Sequence, residues 1–446
     1  MPDGMNRRRF LKVLGVSGGG AAALSGCSTD RVEKLIPYLV PVEDQIPGVA
    51  TFYASTCREC PAGCGMHVRV REGRAVKVEG NPDHPVNAGR LCARGQTALQ
   101  GTYNPDRIRG PMARTASGGF EPISWDDALA RIVQRLDATL PEKVWFVTGD
   151  ERGTFNELVR DWLAAFGSHN HLIFEPFAHE ALRRASADVF GVQGLPSYRL
   201  GEAQYVLAFG ADFLETWLSP VEQMRDFVQA HGYHDGKMGR YVHVEPRMSM
   251  TAMNSDEWIA PTPGTEALVA LTIAHVVANH HADRAPADAA RLRPLLSQYE
   301  PEAMVARTGV SAETMHRLAE EFTAGPSVAL PGGIGTQHDD ARLTALATHL
   351  LNYLAGNVGR TVRFGASSDE SPATYADVAR FADAARNDGA AILFVHGANP
   401  AYGTPAGLEM ADALAKIPFK VSFSRFLDET TTLADLVLPD HDPMEQ

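Results

Sequence analysis

Four of the five cysteines in this 446-residue chain are set as Cys57-x2-Cys60-x3-Cys64-x27-Cys92. Gaps of two and three residues let three thiolates from one tight loop converge on neighbouring corners of an inorganic core, which a remote fourth cysteine then closes. Pro61, Gly63 and Gly65 supply the turns that such a wrap needs. Between the third and fourth cysteines, His67–Arg71 and Ala75–Glu79 alternate apolar and polar residues around a turn containing Gly73. That pattern predicts a β-hairpin that carries the chain out and returns it to deliver Cys92. Three chemistries fit the spacing: an iron–sulfur cluster, a four-cysteine zinc site, and two disulfides. Zinc ribbons usually present two matched pairs, and Cys57, Cys60 and Cys64 are too close together for unstrained bridges. The cluster is therefore favoured, with the other two left open.

The N-terminus reads as an address. Arg7 and Arg8 precede Phe10-Leu11-Lys12 and a Gly/Ala-rich, mildly apolar run from Val13 to Leu24. This resembles a twin-arginine export signal, and the run is too short and glycine-rich for a membrane span. Leu24-Ser25-Gly26-Cys27 resembles a lipobox, so Cys27 is a candidate lipidation site beside the alternative of a signal cut elsewhere. The expected organisation is a signal over 1–27, a linker over 28–50, a cluster domain over 51–110 and α/β domains over 111–446. The net charge of −13 argues against nucleic acid, and the chain has no other apolar run of spanning length.

From Ser124 the pattern changes. Ser124 can cap a helix whose Leu129, Ile132, Val133 and Leu136 recur at helical spacing. Strand-like runs then alternate with helical stretches: Val144–Thr148, Tyr205–Phe209, Tyr241–Glu245, Ser327–Leu330, Ile392–His396, Lys420–Ser424 and Leu436–Leu438. Such alternation predicts doubly wound parallel α/β domains, whose ligands sit beyond the carboxyl ends of the strands. The loops there are Phe209-Gly210-Ala211-Asp212, Glu245-Pro246-Arg247, Pro331-Gly332-Gly333 and Gly397-Ala398-Asn399-Pro400. Taken singly, loops of this kind are more often turns than sites. His231 and His234 read as a solvated pair. No dinucleotide fingerprint, Walker loop or HExxH motif is present.

Taken together, these segments resemble a known family. Cys57-Arg-Glu-Cys60-Pro-Ala-Gly-Cys64-Gly, Val78-Glu-Gly-Asn-Pro-Asp-His-Pro85, Gly89-Arg-Leu-Cys92-Ala-Arg-Gly95 and Asn104-Pro-Asp-Arg-Ile-Arg109 look like the N-terminal domain of molybdopterin oxidoreductases. The likeness runs from about Thr51 onward. It implies one [4Fe–4S] cluster on Cys57, Cys60, Cys64 and Cys92, with Arg94 as an electron relay towards a pterin. It also implies that Gly210, Asp212, Glu245, Arg247, Gly264, Glu266, Gly333 and Asn399 are candidate contacts for bis-molybdopterin guanine dinucleotide. The closer likeness, carried by Phe209–Pro220, Val244–Ser249, Ala329–Gly333 and Asp428–Asp440, is to the large iron–sulfur subunit of alternative complex III and periplasmic quinone reductase complexes. Expected partners are ferredoxin-like Fe–S, cytochrome c and quinol-binding membrane subunits of a respiratory complex. The expected location is the periplasmic side of the cytoplasmic membrane, peripheral or held by a lipid anchor.

Three departures set this chain apart from a working molybdenum enzyme of that family. The stretch Phe174-Glu-Pro-Phe-Ala-His-Glu-Ala181, where relatives present a metal ligand, has no Cys, Ser or Asp, and Phe177 and Ala178 are expected to fill the space. Glu266 stands where Asp is usual. The family's C-terminal pterin-closing domain is expected to be absent from this sequence. The sequence therefore points to an exported electron-transfer and scaffold subunit of a quinol-linked respiratory complex without bound molybdenum, with two rival readings: a catalytic bis-pterin Mo/W oxidoreductase for a small inorganic or sulfur substrate, and a structural module stapled by its cluster.

Overall fold

In a computed structural model, the described residues are 46 and 48–445, except 152, 234, 235, 334–337, 339, 340 and 366–370. Arg7, Arg8 and Cys27 lie outside them, as does most of the 28–50 linker. The chain divides into two units, Met1–Val49 and Ala50–Gln446.

The second unit begins with a three-stranded antiparallel sheet of β1 (Thr51–Thr56), β2 (Gly65–Arg71) and β3 (Arg74–Gly80). The β2–β3 pair is the expected hairpin, and Glu72 and Gly73 both take positive φ, 53° and 76°, as a tight two-residue turn requires. β1 adds a third strand that the pattern of residues had not marked. Asn87, which is fully buried, accepts from Gly65 N–H at 2.8 Å and donates to the carbonyls of Gly65 at 2.8 Å and Arg90 at 2.6 Å. One side chain thus ties the start of β2 to the segment that leads into Cys92.

β4 (Met112–Arg114) and β5 (Phe120–Pro122) follow, then β6 (Val144–Thr148), β7 (Asn170–Ile173) and the short β8 (Ser197–Tyr198). Next come β9 (Tyr205–Phe209), β10 (Arg240–Val244), β11 (Glu257–Ile259) and β12 (Ser327–Leu330), and finally β13 (Val362–Arg363), β14 (Ile392–His396), β15 (Phe419–Ser424) and β16 (Leu436–Pro439). They form a four-stranded parallel sheet, β11-β10-β9-β12, and a seven-stranded sheet, β5-β4-β16-β15-β14-β6-β7, that is parallel from β16 to β7. β8 and β13 pair separately. The smaller sheet is therefore an insertion between β7 and β14 of the larger one. All seven expected strands are present to within one residue at each end, and β4, β5, β7, β8, β11 and β13 are additional.

The central strands are apolar throughout because both faces are covered. Every residue of β9 and of β14 is buried, and Phe146 stacks on Phe394 and Phe423 across β6, β14 and β15, with centroids 5.6 and 6.2 Å away. The helix Trp125–Asp137 is capped by Ser124, whose Oγ accepts from Asp127 N–H at 3.0 Å. Its apolar stripe, however, is only half used: Ile132 and Leu136 pack on the core, whereas Leu129 and Val133 are exposed.

In both parallel sheets, successive strands proceed to one side and the chain then returns to the other. The order changes between β9 and β12 in one sheet and between β6 and β14 in the other. A crevice for a ligand opens at such a switch point, beyond the carboxyl ends of the strands. In the larger sheet the two loops nearly touch: Gly149 N–H donates to His396 O at 3.0 Å, and a Cβ at position 149 would collide with the Gly397 carbonyl oxygen.

Asn87→Ala should strand buried backbone groups at Gly65 and Arg90, with an expected cost of about 1–3 kcal/mol. Thermal unfolding of the purified protein should show a lower midpoint, while Asn81→Ala, whose side chain among the described residues serves only its own turn at Asp83 N–H, should change it little.

Candidate functional site

The first site is the cysteine loop. Cys57 N–H donates to Cys64 O at 2.8 Å, which closes the loop at the junction of β1 and β2, and Gly63 inside it takes a positive φ of 62°. Cys57 and Cys64 are buried, and Cys60 and Cys92 are half-buried. Cys57, Cys64, Met66, Val68, Val78 and Val221 form one apolar cluster, with Cys92 packed against it. Asn81 N–H reaches Gly65 O at 2.9 Å and Gly89 N–H reaches Asn81 O at 2.8 Å, so the approach to Cys92 is laced to the same place. Among the described residues the four cysteines are free of disulfides.

Burial, and then the neighbouring Cys57, Cys60 and Cys92, push the Cys64 thiol up to about 12. Cys57 is raised too, first by burial and also by Glu59, Cys60 and Cys92. No three His, Cys, Asp or Glu side chains among the described residues converge on one point as the ligands of a single ion would. A cluster takes one cysteine on each iron and asks for a wider frame than the 2.3 Å Zn–S bonds of one zinc would set. Cys92 is the N-cap of the helix Ala93–Thr102, so its sulfur stands at the positive end of the helix dipole, where negative charge is stabilised. Arg94 is exposed in the first turn of that helix.

The second site is the carboxyl edge of the four-stranded sheet. Gly210 follows β9 with a φ of 77°, Gly333 N–H donates to Gly210 O at 3.2 Å, and Asp212 sits in the same loop. Asp212, Glu245 and Glu266 are all buried. Among the described residues, Asp212 Oδ1, Glu245 Oε1, both oxygens of Glu266 and the Trp217 indole nitrogen have no hydrogen-bond partner. His338 Nε2 lies 3.6 Å from Glu266 Oε2. Arg247, largely exposed, stands 3.7 Å from Asp212 and 3.8 Å from Glu245. Burial, followed by Glu245 and Glu215, raises Asp212.

Glu245 is held from behind. Its Oε2 lies 3.1 Å from His243 Nε2, and His243 Nδ1 lies 2.5 Å from the Tyr241 hydroxyl, all three side chains being buried on one face of the strand and its end. A carboxylate only accepts, so Nε2 donates to Glu245 and Nδ1 accepts from the tyrosine. Buried acceptors without donors normally have a partner. This set fits a ligand rich in N–H and O–H groups, such as a guanine edge or a ribose diol.

Sequence-derived candidates fare unevenly here. Gly210, Asp212, Glu245, Arg247 and Gly333 come together, and Glu266 lies on the same edge of the sheet at the start of the helix Glu266–His280. Gly264 is in the loop before it, with open space at its Cα and a φ of 81°. Asn399 is committed elsewhere: it donates to Glu429 at 2.7 Å and accepts from the Thr430 N–H and hydroxyl at 3.2 and 2.7 Å, so it braces its own loop. His231, expected to be solvated, is stacked on Phe227 and lies 3.1 Å from Asp256; His234 lies outside the described residues. Trp217, His243 and Tyr241 were missed because aromatic residues in a strand or turn look like core.

The third place is the 174–181 stretch beyond β7. Phe177 is 64% exposed and does not fill a pocket as expected. Glu175 accepts from Phe177 N–H at 3.0 Å, and Glu180 accepts from Tyr375 N–H at 2.8 Å and pairs with Arg184 at 2.7 Å. Burial and then Arg183 bring His179 down to about 4, which leaves its imidazole neutral.

Two family models match the sequence: the molybdopterin oxidoreductase Fe4S4 domain over residues 50–104 and molybdopterin oxidoreductase over residues 107–446. The menaquinone reductase molybdopterin-binding-like subunit of Nitratidesulfovibrio vulgaris is 30% identical over 98% of this chain and 65% of its own length. The arsenate respiratory reductase molybdopterin-containing subunit of a Shewanella species is 31% identical over 61% of this chain and 33% of its own. The chain thus spans less than two thirds of the length of these relatives. Acetylene hydratase from Pelobacter acetylenicus shares the fold, with a TM-score of 0.73 at 17% identity over 87% of this chain and 63% of that one. With matches that together run from the cysteine loop through both parallel sheets, the chain belongs to the molybdopterin oxidoreductase family.

Proposed function

We propose that the chain is an exported electron-transfer and scaffold subunit of a quinol-linked respiratory complex, with one [4Fe–4S] cluster on Cys57, Cys60, Cys64 and Cys92 and without bound molybdenum. The observation that carries this is the contrast between a framed set of four thiols and a 174–181 stretch that has no Cys, Ser or Asp and whose Glu175 and Glu180 each accept a backbone N–H. The cluster, when bound, takes up and passes on single electrons. The chain's own residues supply the thiolates, exclude water with Met66, Val68 and Val78, and place Cys92 at a helix N-terminus that favours the negative charge. Arg94 lies two residues on, as an exposed cation on the way out of the cluster. The likeness to a menaquinone reductase subunit supports a quinone-linked setting. Ferredoxin-like, cytochrome c and quinol-binding membrane subunits are the proposed partners. No described helix is long and apolar enough to cross a membrane, so attachment is assigned to Cys27 or to a partner subunit.

A second reading rests on the buried carboxylate oxygens that have no hydrogen-bond partner among the described residues. If Asp212, Glu245 and Glu266 hold the guanine ends of a bis-molybdopterin guanine dinucleotide, the chain retains the cofactor, and a Mo/W oxidoreductase of small inorganic or sulfur substrates is the alternative.

Protein isolated anaerobically from molybdate-replete cells should carry about four irons per chain and a reducible paramagnetic signal; Cys92→Ala should lose at least one iron. Stoichiometric molybdenum or tungsten in the same preparation would overturn the metal-free reading. The nucleotide is a separate matter. Acid extracts should contain guanosine nucleotide if the second pocket is filled, and Glu266→Gln should then lower its yield by roughly tenfold or more, the 1.4 kcal/mol or so expected of a hydrogen bond to a charged group. Arg7→Lys with Arg8→Lys should leave unprocessed precursor in the cytoplasm, as seen by fractionation; normal export would refute the twin-arginine assignment.

A further inference from the structure

The switch point of the seven-stranded sheet carries a line of charges that neither the cluster nor the nucleotide pocket uses. Arg58 Nη1 donates to Glu151 Oε2 at 3.2 Å, Glu151 Oε1 lies 2.8 Å from His396 Nδ1, and His396 Nε2 lies 3.1 Å from Asp440 Oδ2. The Nδ1 contact lies off the N–H axis, so it acts as a charge pair more than as an aligned hydrogen bond. Arg58 is the residue after the first cysteine, Glu151 follows β6, His396 ends β14 and Asp440 follows β16. We infer that His396 is a positioning residue for the iron–sulfur loop: seated between Glu151 and Asp440, it holds Glu151 where that carboxylate can grip Arg58.

Two partly buried carboxylates on either side of one ring repel each other and lose part of their solvation unless a cation stands between them. His396 is that cation. Burial works against its charge, but the contacts with Asp440 and Glu151 outweigh it and raise the imidazole to about 9. The charged groups facing it are Glu151 from the loop after β6 and Asp440 from the segment after β16. The helix Phe155–Phe166 contributes Phe155, whose ring centroid is 4.4 Å away, and β15 contributes Phe423, at 6.3 Å. Arg58 lies beyond Glu151, and Arg425 acts on Asp440 from further out.

The backbone leaves little room for any other arrangement. Gly397 has a φ of 62°, and a side chain there would strike Glu151 Oε1. Asn156 Nδ2 donates to Glu151 O at 2.7 Å and fixes the carboxylate's own backbone. The Arg58 guanidinium is 42% exposed and, among the described residues, has only this anchor of opposite charge, so what aims Glu151 decides where the guanidinium stands relative to Cys57. A fixed cation there favours the reduced, more negative cluster. Above pH 9 the imidazole loses its proton, Glu151 and Asp440 repel, and the grip weakens; the arrangement is complete at neutral pH and below, and is lost as pH rises through about 9.

The inference rests on the cluster reading, and iron content separates the two. The experiment compares the anaerobic holoprotein with His396→Gln, Arg58→Gln and the double variant by iron analysis, electron paramagnetic resonance and redox titration at several pH values. Full iron with a changed spectrum, a lower midpoint potential and loss of the fall in potential near pH 9 is expected for His396→Gln. Arg58→Gln should shift the potential in the same direction, and the double variant should add little, because both changes break one link. Full iron with an unchanged spectrum and potential, or additive shifts, would overturn the proposal. Absence of iron in the unsubstituted protein would overturn the cluster reading itself. Should His396→Gln fail to fold, Glu151→Gln, equal in size and uncharged, decides by the same two readouts.

Discussion

Three thiols within eight residues cannot be held apart by a hydrophobic core of their own; they need a frame imposed from the flanking chain. Here that frame is a set of hydrogen bonds converging on Cys57, Cys64 and Gly65. Cys64 O receives Cys57 N–H, and the amide of Asn87 spans both polar atoms of Gly65 and the Arg90 carbonyl. Buried backbone groups that lose such partners cost more than the bonds themselves contribute, so the loop has little freedom to relax. The apolar lining of Met66, Val68 and Val78 depends on this frame, as does the arrival of Cys92 at a helix N-terminus. Burial that raises Cys57 and Cys64 makes the metal-free thiols poor anions, and metal binding is therefore coupled to loss of their protons.

The two parallel sheets solve a common problem in different ways. Each has a switch point at which neighbouring loops diverge, and each loop pair approaches closely through glycine. In the four-stranded sheet the opening is lined by carboxylates with oxygens that have no donor among the described residues, with His243 and Tyr241 bracing Glu245 from inside the strand. In the seven-stranded sheet the corresponding carboxylates, Glu151 and Asp440, have a histidine between them and an arginine from the cysteine loop outside. One opening is left with acceptors to spare. The other is neutralised by the protein itself, and it joins the cluster domain to the sheet.

Much of this architecture was legible in the residues. Runs such as Ile392–His396 and Tyr205–Phe209 are apolar on both faces because helices cover both sides of a parallel strand, so their pattern survives translation into structure. The hairpin around Gly73 and the cap at Ser124 are equally local. β7 and β11 were not legible, since Asn170–Ile173 and Glu257–Ile259 are short and mixed in polarity and become strands by pairing with β6 and β10. The exposure of Leu129, Val133 and Phe177 was likewise unreadable, because periodicity gives a face but not what lies opposite it. Asn399 misled in another way: its position at a strand end pointed to a ligand, while its amide is consumed by Glu429 and Thr430 thirty residues on.

The sequence by itself determined the candidate ligand set, because the spacing of Cys57, Cys60, Cys64 and Cys92 is a local property of the chain, and it determined the strand order along the chain, because two-sided burial writes itself as apolar runs. Only the tertiary structure decided which polar residues meet. His396, Glu151, Asp440 and Arg58 lie up to 382 positions apart, and Tyr241, His243 and Glu245 look like an ordinary strand until the sheet buries them together. Partner choice among charges is set by distance and solvent exclusion in the folded chain, and neither quantity is encoded in any short stretch of residues.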